Sequence, residues 1–326
     1  MKQNNKLTLF GQQMLSTGHD EKLMKFYNNN HNFVKYKELL PMIAYLFSIR
    51  INKKGMTQDT TQNVILSLLT KYVENNLSDT IIYKKLWSFI HKKKYTNFKP
   101  LYINNKINVT REKNRYDEIM CLFKYANIDI SKSLKELKLL DIGSGSGAFL
   151  YYIKNYSNLD MPLTLYYNDI RLPDEKYYAN YYIIQDLATS LTTKKITFNV
   201  ITALMTLHHI KNFEEIIKPA IDRLDKGGYF IVRDHDANSD NIKICLDMID
   251  KFYKFSLYDP PEVANFDISQ DSISFFQSLE YFIEKITQMG LTLIIVKSVE
   301  ECNEYYKEKK LPYTYNEASY MLFKKE

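Results

Sequence analysis

Two patterns of hydrophobic and polar positions divide the chain. From Ser131 onward, short apolar runs alternate with longer segments of helical spacing. LKLLDI, LTLYYND, YYIIQD, FNVITALM and GGYFIVRD read as buried strands, and LTLIIVK and ASYMLFK add two more near the end. Near-continuous apolar strands alternating with helices imply a parallel sheet covered on both faces. The spacing predicts helices in AFLYYIKNY, IKICLDMIDKFYKF and SISFFQSLEYFIEKITQMG. Residues 1–130 read differently, as helices without strands. Val64, Leu66, Leu68, Leu69 and Val73 gather near one helix face, Ile81, Leu86, Phe89 and Ile90 on another, and Arg115 to Ile128 forms a third segment. NNNHN at 28–32 and KPLYINNKINVT at 99–110 read as loops. The expected fold is α/β: a doubly wound, seven-stranded, mostly parallel sheet over 131–326, its last two strands a hairpin, preceded by a helical accessory domain over 1–130.

Composition adds a charge division to this. The 326 residues carry a formal net charge of +6, but 1–130 holds 21 Lys and Arg against 10 Asp and Glu, a net +11. The rest holds 23 against 28, a net −5. Parts of opposite sign suggest different partners. Apolar residues at 45% and charged residues at 25% exclude collagen-like and wholly disordered chains. Cys121, Cys245 and Cys302 lie far apart, which argues against a disulfide framework and a zinc site and fits a reducing, cytoplasmic setting. The N-terminus lacks the apolar core of a signal peptide, and no run approaches the ~18 apolar residues of a membrane helix, so no membrane partner is expected.

The most informative segment is KLLDIGSGSGAFL. A buried strand ends in Asp141, and Gly143, Ser144, Gly145 and Gly147 lead into a helix. Glycines permit positive φ and close approach of a ligand to the backbone, and the helix start offers free N–H groups. Gly143, Gly145 and Ala148 also satisfy a dinucleotide-binding pattern, so the loop alone leaves the cofactor open. The neighbouring strands narrow it. DIGSGSG, LYYND, IIQDL, FNVITALMTLHHI and LDKGGYFIV, in this order, resemble five motifs of the class I S-adenosylmethionine-dependent methyltransferases. The resemblance covers roughly Leu137 to Glu326 and implies a Rossmann-like fold, methyl transfer and S-adenosyl-L-methionine as cofactor. It places the methionine part against Gly143 to Gly147 with Asp141 anchoring the loop, the ribose on Asp169, the adenine beside Asp186 and Leu187, and Leu204 next to the cofactor. Asn199 stands where the family more often has Asp.

Chemistry beyond the cofactor has two candidate clusters: Leu207-His208-His209 after the fourth strand, and Arg233-Asp234-His235-Asp236 after the fifth. His235, between two aspartates, is the leading general-base candidate, because a carboxylate fixes a tautomer and raises basicity. His208 is the second. Both clusters also read as packing or as the cap of the next helix, with Ser239 or Asp240 as that cap. Adjacent histidines diverge and no third ligand is spaced to complete a metal site, so none is expected. Asp259-Pro260-Pro261-Glu262 lies after the fifth strand and lacks the final aromatic of the amino-methyltransferase element. Cys245 sits on an apolar helix face, which suits the core better than a nucleophile. In the basic part, Lys92, Lys93, Lys94, Tyr95 and Lys99 interleave charge with aromatics, as nucleic-acid backbone binding and base stacking require. Lys84, Lys85, Arg111, Lys113 and Arg115 would extend that patch. The leading reading is methyl transfer to RNA or another polyanion. The alternatives are a small-molecule methyltransferase with a helical cap, a catalytically silent scaffold of the same fold, and NAD-dependent catalysis.

Overall fold

A computed structural model describes residues 32–50, 57–92, 109–169, 180–184, 187, 190–191, 195–255, 274–302 and 318–326. Within these, the side chains of 49–50, 90–92, 109–110 and 253–255 are left aside. The chain forms two compact units. One holds 107–238 and 275–326, the other 19–106 and 239–274.

The first unit contains the sheet. Its strands are β1 (Leu137–Ile142), β2 (Leu163–Asn168), β3 (Tyr182–Ile183), β4 (Phe198–Leu204), β5 (Leu224–Asp234), β6 (Leu291–Ser298) and β7 (Ser319–Lys325). They lie in the order β3-β2-β1-β4-β5-β7-β6. The first five strands pair in parallel, and β7 runs antiparallel between β5 and β6. The seven expected strands are therefore present. The last two are antiparallel neighbours, with β7 inserted next to β5. Among the described residues, the third pairs with β2 at Tyr182 and Ile183.

Strand alternation assigns each face. Leu140, Ile142, Ile201, Ala203, Phe230, Val232, Met321 and Phe323 join one core cluster, together with Phe213, Ile217, Phe282 and Ile286. The last four come from helices over Phe213–Asp222 and Leu279–Gln288. Leu139, Val200, Tyr229, Ile231, Tyr320 and Leu322 join the opposite cluster with Ile119, Leu122, Phe123, Phe149, Leu150 and Ile153. These face helices over Val109–Tyr125 and Ala148–Tyr156. Period-2 side chains that are apolar on both faces demand two helical layers, which is the doubly wound arrangement. Asn199, the departure from the family pattern, bridges β1 at the strand start: its Oδ1 accepts from Lys138 N at 2.9 Å and its Nδ2 donates to Glu136 O at 2.6 Å.

The second unit is helical. It contains Asn32–Lys35, Leu40–Arg50, Gln58–Glu74, Asp79–Lys92 and Asp240–Phe255. Thr57 caps the third of these by accepting from Thr60 N. Phe47 and Tyr83 pack against Phe252, and Tyr83 Oη donates to Met248 O at 2.9 Å. The division expected at residue 130 thus differs from the compact units at both ends. The helix at 109–125 carries the apolar stripe Ile119-Leu122-Phe123 that the sheet requires. The helix at 240–255 buries Leu246, Met248, Ile249 and Phe252 in the helical unit. Ser239 does cap that helix, Oγ accepting from Ile242 N at 3.4 Å, and Cys245 is buried in its core, its thiol pushed up to about 12 by burial. Among the described residues, no helix is long and apolar enough to cross a membrane.

Candidate functional site

The carboxyl ends of the parallel strands converge on the glycine loop, the edge where open α/β sheets place their ligands. Gly143, Gly145 and Gly147 have φ of 69°, 58° and 76°. A Cβ on Gly143 would lie 2.3 Å from the Thr206 Cγ2 and Oγ1, and one on Gly147 would lie 2.1 Å from the Tyr181 hydroxyl oxygen. Thr206 is held by its Oγ1 on Ile142 O at 3.2 Å, and Tyr181 stacks on Tyr167 with centroids 5.3 Å apart. The loop is tied down at Ser144 and Gly145. Ser144 N donates to Asn168 O at 3.0 Å, Ser144 Oγ to Asp141 O at 2.6 Å, Gly145 N to Asp169 Oδ2 at 2.7 Å, and Tyr167 Oη to Gly145 O at 2.7 Å. Gly147 then caps the helix that begins at Ala148.

Asp141 is buried at the end of β1. Its register partner on β4, Thr202, donates to its Oδ1 at 2.6 Å. Burial pushes its carboxyl up to about 6, although the bonds from Thr202 and Ser144 and the charge of Arg115 act in the opposite direction. Leu187 and Leu204 are both buried, the first in the core cluster on one face and the second in that on the other. Asp186 lies outside the described residues.

A second polar layer sits on the face shared by Asp141. The register Leu204–Arg233–Tyr320 crosses β4, β5 and β7. Tyr320 Oη donates to Glu118 Oε2 at 2.7 Å, and the Arg233 guanidinium lies 5.8 Å from the Tyr320 ring. One and two turns earlier on the same helix, Arg115 pairs at 3.3 Å with the fully buried Glu112, which also accepts from Arg111 Nε at 2.6 Å. Phe123 meets Tyr229 edge-on at the other end of this helix. The helix therefore points its charged N-terminal half at the ligand edge. This corrects the reading of Arg111, Lys113 and Arg115 as extensions of a basic patch: the first and third pair with Glu112, and Lys113 pairs with Asp117. Counting charges along the sequence hid these partners, Arg115 and Lys113 meeting theirs at i,i+3 and i,i+4. Lys93, Lys94, Tyr95 and Lys99 lie outside the described residues, as does the side chain of Lys92.

The two histidine clusters come together. His208 lies in a 3₁₀ turn after β4 and Asp234 at the end of β5. His208 Nδ1 and Asp234 Oδ1 are 2.6 Å apart, and Asp234 Oδ2 accepts from His208 N at 3.2 Å. Phe276 stacks on the His208 ring at 4.8 Å and 13°. Burial raises the Asp234 carboxyl, and the charge and hydrogen bonds of His208 and His235 outweigh it, leaving it below the usual range. For His235 the arrangement differs from the sequence expectation. Asp234 Oδ1 accepts from the backbone N of His235, at 2.8 Å, and Asp236 Oδ1 accepts from Leu279 N at 3.2 Å. The flanking aspartates spend these bonds on a neighbouring ring and on backbone.

Residues 114–262 match the family model described as a methyltransferase domain. No curated protein sequence matches the chain. Among solved structures, similar folds include a S-adenosylmethionine-dependent methyltransferase of Thermotoga maritima (16% identity, 67% of this chain and 100% of that one, TM-score 0.38). Others are the plantazolicin methyltransferase BpumL (14%, 79% and 99%, 0.44) and the magnesium protoporphyrin IX methyltransferase of Synechocystis PCC 6803 (11%, 74% and 99%, 0.42). The strand order and the glycine loop are those of a Rossmann-like methyltransferase fold, and residues 114–262 match the methyltransferase-domain model over that sheet.

Proposed function

We propose that the loop Gly143–Gly147 holds the methionyl part of S-adenosylmethionine, with Asp169 toward the ribose, and that the acceptor meets the donor beside Thr206 and His208. The observation that carries this reading is the set of three left-handed glycines, two of them closed over by Thr206 and Tyr181. A Cβ at either position would collide with those two side chains, so the loop keeps this conformation only with glycine there. The bound donor supplies an electrophilic methyl on a sulfonium. The protein holds the acceptor in line with it and excludes water, which is where much of the acceleration of a displacement originates. Isothermal titration is expected to show binding of S-adenosylhomocysteine and none of NAD. Asp169→Ala is expected to weaken the former roughly 10- to 100-fold, the worth of a charge-assisted hydrogen bond. Binding of NAD alone would sink the reading.

RNA as acceptor is favoured by one observation, the net +11 of residues 1–130. It predicts salt-dependent RNA binding that is lost in Lys92/Lys93/Lys94→Glu, with a shallower salt slope as phosphate contacts disappear. Affinity unchanged by that triple substitution removes the support. The dispersed cysteines support a reducing compartment, the cytoplasm in this reading.

A further inference from the structure

We infer that His208, held by Asp234, is a general base that takes the proton from a hydroxyl of a small-molecule acceptor. This rests on the donor reading above. The imidazole is oriented twice: its Nδ1 lies 2.6 Å from a carboxylate oxygen of Asp234, and its face stacks on Phe276 at 4.8 Å. A carboxylate accepts and does not donate, so Nδ1 carries the proton and the lone pair sits on Nε2. The backbone anchors the same pair, because the other Asp234 oxygen takes the His208 N–H. Among the described residues, the titratable groups around this ring are Asp234 and His235 from the end of β5 and His209 from its own turn, whose ring centroid is 4.0 Å away. The segment at 275–276 contributes an aromatic ring and the Phe275 N–H, which donates to His208 O.

This arrangement has a specific use. A free amine brings its own lone pair to a methyl group, whereas a hydroxyl is a weak nucleophile until its proton leaves. In the step, Nε2 takes the hydroxyl proton and the oxygen pair forms the new O–CH₃ bond. The S–CH₃ bond breaks with its electrons remaining on sulfur, and the imidazolium afterwards gives its proton to water. The negative Asp234 stabilises that imidazolium, as an orienting carboxylate does in His-dependent acyl transfer sites. His208 is 3% exposed, and a base this enclosed, with one face covered by Phe276, suits a small acceptor better than a broad polymer surface.

The test uses the full chain labelled with ¹⁵N-histidine, in the presence of S-adenosylhomocysteine. The six histidines are few enough to assign His208 by the signal lost in His208→Gln. The expected spectrum shows the proton on Nδ1, and Asp234→Ala, which removes the acceptor, shifts the ring toward the Nε2 tautomer. A wild-type ring protonated at Nε2 alone, or a tautomer indifferent to Asp234→Ala, overturns the inference. In parallel, transfer of labelled methyl groups is measured with pooled small-molecule and RNA fractions. His208→Gln is expected to lower kcat about 10²- to 10⁴-fold while S-adenosylhomocysteine still binds as in the wild type. Undiminished transfer by His208→Gln overturns the base alone, and label in RNA overturns the small-molecule acceptor. Wild-type protein that binds S-adenosylhomocysteine yet labels nothing overturns the base together with the active-enzyme reading. Failure of wild-type protein to bind S-adenosylhomocysteine overturns the donor reading itself.

Discussion

Gly143→Ala is expected to abolish binding of S-adenosylhomocysteine and to destabilise the sheet unit. The backbone at Gly143 has φ +69°, where an L-residue costs roughly 1–2 kcal/mol. The added methyl also lands 2.8 Å from Thr206 Cβ and 2.3 Å from two further Thr206 atoms. Rotating Thr206 removes the second clash only in part, because its Cβ is fixed by the backbone, and rotation gives up the Oγ1 bond to Ile142 O. Overpacking adds about 1–3 kcal/mol, so the total is roughly 2–5 kcal/mol. Urea denaturation followed by tryptophan-independent circular dichroism measures it. The double variant Gly143→Ala/Thr206→Gly, set against Thr206→Gly alone, separates the causes, since both lack the Oγ1 bond to Ile142 O and their difference is the backbone cost of Gly143→Ala. If that difference equals the loss caused by Gly143→Ala in the wild type, Thr206 is not the obstacle.

The glycines and the strands were legible because their causes are local. A run such as LKLLDI is apolar at adjacent positions, and only a strand covered on both faces buries Leu139 and Leu140 at once. Likewise, positive φ at three alternate positions is written as glycine. What the sequence hid depends on direction in space. His235 stands between two aspartates, but along an extended segment consecutive side chains point to opposite sides. Asp234 therefore reaches the ring of His208, 26 positions away in sequence, and gives His235 a backbone bond. The charged face of the helix at 109–125 was hidden in the same way. Arg111 and Arg115 count toward a positive total, whereas both pair with Glu112, the first as its neighbour in the chain and the second one helical turn on. The apolar pattern of β7 gives no hint that Tyr320 joins Glu118, because that bond spans 202 positions. A signal was nevertheless present: Glu112, Arg115, Glu118, Ile119 and Leu122 fall at spacings of three and four, and a helix with this mixture on one face needs buried polar partners.

Asp141→Asn is expected to stabilise the protein at neutral pH and to remove a proton exchange that accompanies donor binding. Burial raises the Asp141 carboxyl from 3.8 to about 6, so the folded state favours its neutral form. Between about pH 4 and pH 6 the folded protein holds a proton that the unfolded chain has released. Stability therefore falls as pH rises through that window and levels off above it, a loss of about 3 kcal/mol at 1.36 kcal/mol per unit. Asparagine keeps the shape and still offers Thr202 an acceptor in place of Oδ1, while it carries no charge to bury. Its stability curve is expected to be flat over the same window and higher than wild type at pH 8. The carboxylate is then a cost that a cationic ligand offsets, since a nearby positive charge favours the ionised form. Near pH 6 the wild type is expected to release a fraction of a proton on binding S-adenosylmethionine, with affinity increasing as pH rises through 6. Calorimetry in buffers of different ionisation enthalpy reads that proton directly. Equal proton release by wild type and Asp141→Asn would show that the carboxylate does not respond to the donor, and that its burial serves the loop alone.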